Sequence, residues 1–497
     1  MISEGHSEAS AVSIDGRWRQ GKGPELTSGN PADGRTVWSA GQATAGDVAD
    51  ALASSRSAQP SWDHTPLNER EAVLRRFEEL VNENKEEFAV LISSETGKPL
   101  WEAATEVAAV AGKVALSIEA YKDRTPSVEF SETARLSHRP LGVMGVLGPF
   151  NFPAHLPNGQ IVPALLAGNA VVYKPSELTP AVAQFHVDLL QKAGLPPGIL
   201  NLVIGGRDVG AALVDGAVDG IAFTGSVATG RALHRALADR PNVLLALEMG
   251  GNNPLVASSW DDLGAAVNTI IRSAFLTAGQ RCTCARRLYI PSSVEGDDLL
   301  EALVNTTMRL RVGAYDDNPP PFLGPVVSAA AAASIRASIT DLVASGATAL
   351  TGPGEPIPGT GFVRPTILDA DHVAIPDEEI FGPVLTVQRF EHLHEVFGRA
   401  TATDFGLAAG LLSTSAEEFQ EFQQTVRAGV INWNTPTTGA SGRLPFGGVG
   451  ASGNHRPAGW TAADFCSYPV AMVTYASVTD SDSPLPGLAN EIQGGAL

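Results

Sequence analysis

An α/β fold with parallel sheets covered on both faces is what this sequence predicts, and three observations carry it. Short segments that are apolar throughout alternate with helical segments over residues 142–248. Strands buried on both faces read this way. A second series of the same kind runs from about 261 to 432. Glycine (51) and proline (34) are enriched, as many tight strand–helix connections require.

The elements follow in order. Residues 1–10 carry no pattern. Residues 65–122 read as helices: Thr65-Pro66 resembles a cap followed by proline at the first helical position, and Val73, Leu74, Phe77, Leu80 and Val81 keep helical spacing. Gly97-Lys98-Pro99 interrupts, and a helix resumes over 101–121. "EFSETARLSHRP" (129–140) alternates as an extended ribbon. Strands then fall at 142–148, 170–174, 199–205, 220–225 and 243–248, with helices at 156–167, 180–193, 207–214 and 226–238. In the second series, strands fall at 286–290, 383–388, 407–412 and 429–432. Its helices fall near 261–277, 295–310, 328–344, 392–402 and 415–427. After 478 the chain loses periodicity.

The 497 residues correspond to roughly three domains of ~150 residues. Hydrophobic residues make up 44% and charged residues 18%, the balance of a folded core. A net charge of −20 argues against nucleic acid or anionic membrane as partners. It also means that an anionic substrate needs a local basic cluster. Three cysteines form no disulfide framework and point to a reducing cytoplasm. The start, MISEGHSEAS, has neither a basic nor an apolar signal region, and no apolar run approaches a membrane span of about 18 residues.

Five motifs are candidates for chemistry. "GVGASG" (448–453) has dinucleotide-fingerprint spacing, but it follows "LPFG" and leads into "NHRP", so it reads as a loop. "FTGSVATG" ends an apolar strand and opens a helix, so Gly225, Ser226 and Gly230 form a place for phosphate. "VVYKPSE" puts Lys174 and Glu177 at a strand end, where such folds bind nucleotides or where a loop is merely solvated. "LEMGGNNP" puts Glu248 at another strand end, as a cap or as a general base.

"TAGQRCTCARR" holds Cys282 and Cys284. Their spacing does not suit a zinc pair, no further ligand cluster completes a metal site, and a disulfide between them would be strained. A nucleophilic thiol remains, with Arg281 beside it to favour the thiolate. Cys466 reads as a small buried filler.

Taken in order, "GPFNFP", "YKPSE", "FTGSVATG", "LEMGG", "GQRC", "EEIFGP", "NWN" and "PFGGVGASG" resemble the aldehyde dehydrogenase superfamily, collinearly from about 12 to 478. The resemblance implies two Rossmann-like parallel-sheet domains plus a small β oligomerisation ribbon. It divides the chain into a cofactor-binding part (11–128 and 142–249), a catalytic part (250–445), a ribbon (129–141 and 466–480) and a loose tail (481–497).

It further implies that Cys282 is the nucleophile, passing through a thiohemiacetal and a thioester. Asn151 then supports the oxyanion and Glu248 activates water. Lys174 and Glu177 hold the adenosine ribose, Gly225, Ser226 and Gly230 face the pyrophosphate, and Glu379 and Phe381 hold the nicotinamide end. The cofactor is NAD, with Glu177 disfavouring NADP. No metal is implied.

"GKPLWEAATEV", "GQRCTCARR" and "GNHRP" are most similar to members acting on a dianionic, carboxylated semialdehyde. Arg281, Arg443, His455, Arg456 and His155 are candidate carboxylate ligands. Rival readings are a different carboxylated semialdehyde, a phosphorylating or acyl-transferring thioester enzyme, and an inactive structural protein on the same fold. The ribbon implies a homodimer or homotetramer.

Overall fold

The computed structural model describes residues 9–478, so the expected loose tail at 481–497 lies outside the described residues. The chain opens with β1 (Val12–Ile14), β2 (Arg17–Arg19), β3 (Glu25–Gly29) and β4 (Thr36–Gly41). Four helices follow: α1 (Ala45–His64), α2 (Leu67–Glu83), α3 (Lys85–Thr96) and α4 (Leu100–Arg124). Thr44 and Asp47 form a capping box that starts α1.

Residues before 65 carry no helix or strand in the sequence reading, and α1 shows why. Its buried positions include serine and aspartate, and Pro60 lies inside it, so the apolar stripe is faint. The expected start at Thr65 is also corrected. Thr65 closes α1, its hydroxyl donating to Ser61 O at 3.0 Å, and α2 begins two residues later.

Beyond α4 come β5 (Val128–Glu129), β6 (Ala134–Pro140), β7 (Val143–Leu147), α5 (His155–Ala167), β8 (Ala170–Lys174), α6 (Pro180–Lys192), β9 (Leu200–Val203), α7 (Arg207–Asp215), β10 (Gly220–Gly225), α8 (Val227–Ala236) and β11 (Leu244–Met249). The first sheet has the order β11-β10-β7-β8-β9-β1-β2. Strands β7 to β11 are parallel, and the β1–β2 hairpin adds antiparallel to β9, so the sheet is mixed rather than purely parallel. The chain runs outward from β7 to β9, then returns to the other side of β7 with β10. That reversal is a topological switch point, where open α/β sheets bind ligands beyond the strand C-termini.

Gly250 and Gly251 carry the chain out of the first sheet into the second. The second half contains β12 (Asn253–Ala257), α9 (Leu263–Phe275), β13 (Ala285–Pro291), α10 (Val294–Met308), α11 (Ala329–Ala344), β14 (Thr348–Ala349), β15 (Thr366–Asp369), β16 (Val384–Phe390), α12 (Leu393–Thr401), β17 (Ala408–Leu412), α13 (Ala416–Thr425) and β18 (Val430–Trp433). Its sheet order is β14-β15-β16-β13-β12-β17-β18, parallel except at β14. The sequence reading lacks β12, five residues that open on Asn-Pro, and it is a central strand.

The chain ends with β19 (Pro445–Phe446), β20 (Ala458–Gly459), α14 (Ala462–Phe465) and β21 (Ser467–Val473). Strands β21, β6 and β5 form the antiparallel ribbon. Cys466 is fully buried in the core of the first sheet, as a filler should be. The "GVGASG" stretch is a loop containing one short 3-10 turn, as its flanks indicate.

Candidate active site

The residues singled out in the sequence converge on the C-terminal edges of the two sheets. Asn151 follows β7, Gly225 ends β10, Lys174 ends β8, and Glu248 lies at the end of β11. Cys282 lies in the turn between α9 and β13.

That turn is strained and tightly held. Thr277, Ala278 and Gly279 are left-handed in succession (φ 56°, 51° and 71°). For the two residues with a Cβ, this conformation costs roughly 1–2 kcal/mol each. Glu102 on α4 opposes the strain: its carboxylate accepts from Thr277 N at 3.2 Å, from the Thr277 hydroxyl, and from Arg281 Nη2 at 2.6 Å. Arg281 Nε also donates to Thr277 Oγ1 at 2.8 Å.

From the other side, Arg286 donates to Gly279 O at 2.7 Å, Arg281 O at 3.0 Å and Gly382 O at 3.1 Å. Asn253 Nδ2 donates to Cys282 O at 2.7 Å and Cys284 O at 2.8 Å. Gln280 reaches Val327 N through Oε1 (2.9 Å) and Thr277 O through Nε2 (3.1 Å). The Cys282 loop therefore has few free backbone groups.

One turn along α4, Glu106 does the same for the Asn151 loop. Its Oε1 accepts from Ala154 N at 3.0 Å and His155 N at 3.1 Å, and its Oε2 pairs with Lys98 Nζ at 2.5 Å. Asn151 Nδ2 donates to Gln280 O at 2.8 Å, which brings the amide onto the Cys282 loop. One helix face thus braces both loops.

Cys282 is half-buried and Cys284 is buried, with its sulfur 3.8 Å from Leu276 O. Desolvation holds the Cys282 thiol above its ordinary value, and the nearby Glu379 and Glu248 carboxylates push the same way. Arg286 opposes them. The expectation that Arg281 favours the thiolate is corrected. Its guanidinium turns away to Glu102, and the opposing cation is Arg286.

Glu248 is buried. Its Oε1 accepts one long bond from Ala458 N at 3.4 Å, and its Oε2 has no partner among the described residues. Burial holds this carboxyl well above the usual carboxylate range. A carboxyl held up in this way is a candidate proton acceptor.

Glu379 Oε1 lies 3.2 Å from Arg286 Nη2, and a Cβ on Gly250 would collide with its carboxylate. Phe381 packs edge-on to Phe150 at 5.8 Å and lies 5.6 Å beneath the Arg286 guanidinium. These residues meet at the seam between the sheets.

The first-sheet edge fits a dinucleotide. Ser226 caps α8, and a Cβ on Gly225 would meet the Phe223 ring at 2.5 Å. A Cβ on Gly230 would collide with Met249. Both glycines thus permit close packing of the strand and helix, and the α8 N-terminus lies beside the switch point. Lys174 Nζ lies 3.7 Å from exposed Glu177 Oε2, an ammonium–carboxylate pair suited to ribose hydroxyls.

The basic residues separate into groups. Arg281 is taken by Glu102 (2.6 Å), and Arg443 by Glu119 (2.5 Å). His455 and Arg456 are exposed, and among the described residues Arg456 donates to the neighbouring His455 O at 3.1 Å. His155 is half-buried and pushed down to about 4 by burial, so it is neutral at pH 7 and offers a hydrogen bond rather than a charge. Among the described residues no group of three or more acids, histidines or cysteines could hold a metal, and no helix is long and apolar enough to cross a membrane.

Sequence reasoning missed Asn253, Arg286, Glu102, Glu106 and Lys98. The signal for the two glutamates was present: acids four apart in "EAATE" share one helical face. Asn253 and Arg286 act through backbone carbonyls that only the folded turn brings near.

Known proteins share this sequence and fold. N-succinylglutamate 5-semialdehyde dehydrogenase of Paraburkholderia xenovorans is 50% identical over 484 residues, covering 96% of this chain and 99% of that one. N-succinylglutamate 5-semialdehyde dehydrogenase 2 of Caulobacter vibrioides is 50% identical over 481 residues, covering 96% and 98%. Among solved structures, the 1-pyrroline-5-carboxylate dehydrogenase from Thermus with bound NAD matches with TM-score 0.88 at 28% identity, covering 94% of this chain and 93% of that one. An E. coli NADP-dependent enzyme matches with TM-score 0.87 at 31% identity, covering 94% and 98%. The sequence profile of the aldehyde dehydrogenase family matches residues 18–470, from the first-sheet hairpin to the ribbon. With that match over most of its length, and with Cys282, Glu248 and Asn151 at the seam of two such sheets, the chain belongs to the aldehyde dehydrogenase family.

Proposed function

We propose that this chain oxidises N-succinyl-L-glutamate 5-semialdehyde to N-succinyl-L-glutamate with NAD, through a thioester on Cys282. The observation that carries the chemistry is Glu248, a buried carboxyl with one bare oxygen beside a half-buried thiol. The identity of about one half along 96% of the chain to relatives of that name supports the substrate.

Because Cys282 rests as a neutral thiol, its attack on the aldehyde carbon passes the thiol proton to a solvent water, which leaves Glu248 ionised for the later step. As sulfur bonds to carbon, the developing oxyanion takes hydrogen bonds from the Asn151 side chain and the Cys282 backbone N–H. Each such donor lowers the barrier by about 2.7–4 kcal/mol. When bound, the dinucleotide supplies the hydride acceptor. Lys174 and Glu177 orient its adenosine ribose, Gly225, Ser226 and Gly230 leave room for its pyrophosphate, and Glu379 with Phe381 positions its nicotinamide end.

Hydride loss leaves the thioester. Glu248 then takes a proton from water, hydroxide adds to the thioester carbon, and the carboxylic acid departs as the Cys282 thiol regains its proton. The bare Glu248 oxygen favours hydrolysis over phosphorylation or acyl transfer.

We also assign the chain to the cytoplasm, consistent with three free cysteines. A homodimer or homotetramer is assigned through the ribbon, where Phe130, Tyr468 and Val473 are exposed. Light scattering tests that assembly, and a monomer would end it.

The functional test is a panel of succinylglutamate, succinate, glutamate and uncharged semialdehydes with NAD and NADP. The highest kcat/KM is expected for succinylglutamate semialdehyde with NAD. A preference of about tenfold for another aldehyde sinks the substrate assignment. A preference for NADP sinks the role given to Glu177.

A further inference from the structure

Lys113 lies on α4 and is 5% exposed. A buried ammonium ordinarily has a carboxylate partner, because leaving its charge uncompensated is costly. Among the described residues, Lys113 has none. Its one hydrogen bond goes to Gly459 O at 2.9 Å. The titratable group that acts on it is the Cys466 thiol, itself held neutral by burial. Two of its three N–H donors are left over.

The surroundings show where those donors lead. On α5, His155, Leu156 and Gly159 are half-buried while Pro157, Asn158 and Gln160 are buried, so the three share the open face. A Cβ at Gly159 would meet a single neighbour, Lys113 Cε at 3.9 Å. The missing side chain therefore opens a gap onto the lysine.

The gap stands beside the reaction centre. His155 begins the helix four residues after Asn151, and one turn, about 5.4 Å, separates it from Gly159. His155 feels the Lys113 charge. The same ammonium donates to Gly459 O, whose neighbour Ala458 donates to Glu248. Lys113 thus lies between the Asn151 loop and the strand that touches the base.

We propose that Lys113, reached through the gap at Gly159, binds a carboxylate of the aldehyde substrate. The site takes the chemical class that the rest of this surface repels, since the chain carries −20 overall. Among the basic side chains around His155, Arg281 and Lys98 are already paired with Glu102 and Glu106. Lys113 is the one with donors to spare. It forms one charge-assisted hydrogen bond to the substrate arm and leaves the sulfur chemistry unchanged. This proposal rests on the reading of a carboxylated semialdehyde as substrate.

The test is Lys113→Met in the full-length enzyme with NAD, assayed on aldehydes bearing two, one and no carboxylates. Methionine keeps the unbranched stem up to the Cε position, and replacing a buried charge by an apolar side chain of similar size is often neutral or stabilising. A thermal melt checks the fold. The quantity read is the ratio of kcat/KM for the preferred carboxylated aldehyde to that for the uncharged one.

The ratio is expected to fall by about tenfold or more, through KM. Gly159→Leu, which fills the gap and leaves the ammonium in place, is expected to lower the same ratio. An equal loss on all aldehydes makes Lys113 a brace for the Gly459 strand and overturns the proposal, and so does an unchanged ratio. If the parent prefers a different carboxylated aldehyde, the substrate assignment fails and the Lys113 ratio is read on that one. If it prefers none, both fall.

Discussion

Around Cys282 the loop is tied from three directions, by Glu102 on α4, by Arg286 on β13 and by Asn253 on β12. At Glu248, only some 34 residues earlier in the chain, one oxygen accepts a single bond of 3.4 Å and the other accepts none. The nucleophile is fixed in place and the base is left under-satisfied. A nucleophile must be aimed, which hydrogen bonds to its backbone achieve without touching the sulfur. A base must want a proton, which hydrogen bonds to its carboxylate would suppress.

That contrast can be broken at either end. The largest effect is expected at the base. Glu248→Gln should lower steady-state turnover by about 10²–10⁴-fold while a burst of NADH, near one per active site, persists. Unchanged turnover would remove Glu248 from the hydrolytic step. In the parent, turnover requires the Glu248 carboxylate, whose raised pKa places the acid limb of kcat well above 4.5, the ordinary value. An acid limb at the ordinary value would mean that some other group is the base.

Next comes the loop. Asn253→Ala leaves the Cys282 and Cys284 carbonyls and Ala408 N without their partner. A displacement near 1 Å can lower a rate by about 10²-fold, so kcat should fall by up to that amount. Glu248→Gln retains its burst, whereas this variant should lose burst rate. An unchanged burst rate would mean that Asn253 does not aim the sulfur.

Glu102→Gln keeps the shape but removes the charge facing Arg281. It should destabilise the protein by about 1–3 kcal/mol in denaturant melts. A melt identical to that of the parent would show that the left-handed turn holds without Glu102. The smallest effect concerns the free thiol. In cofactor-free enzyme, iodoacetamide labelling of Cys282 should reach half its maximum above pH ~8.5, the ordinary thiol value, because burial raises it. A midpoint below that value would show that Arg286 outweighs the two carboxylates.

Much of the fold is legible in the amino-acid sequence. The strand–helix alternation reveals both sheets, since buried parallel strands are apolar on both faces and stand out from helices. What stays hidden is short or weakly patterned. Helix α1 buries serine and aspartate beside its apolar residues, and β12 is five residues containing a proline. At the site, Cys282, Glu248 and Asn151 can be named because their motifs are local. Asn253 and Arg286 cannot, because their partners are carbonyls brought close only by the fold. Arg281 misleads: adjacency in sequence suggests a partner for sulfur, and Glu102, 179 residues away, takes the guanidinium instead.

The half-buried thiol has a consequence for the resting molecule. Peroxides and alkylating agents react with thiolates far faster than with thiols. A sulfur kept protonated by its surroundings, with Cys284 sealed behind it in the core, is a poor target for chemical damage. The same surroundings that hold the proton on sulfur during rest therefore slow its reaction with such agents.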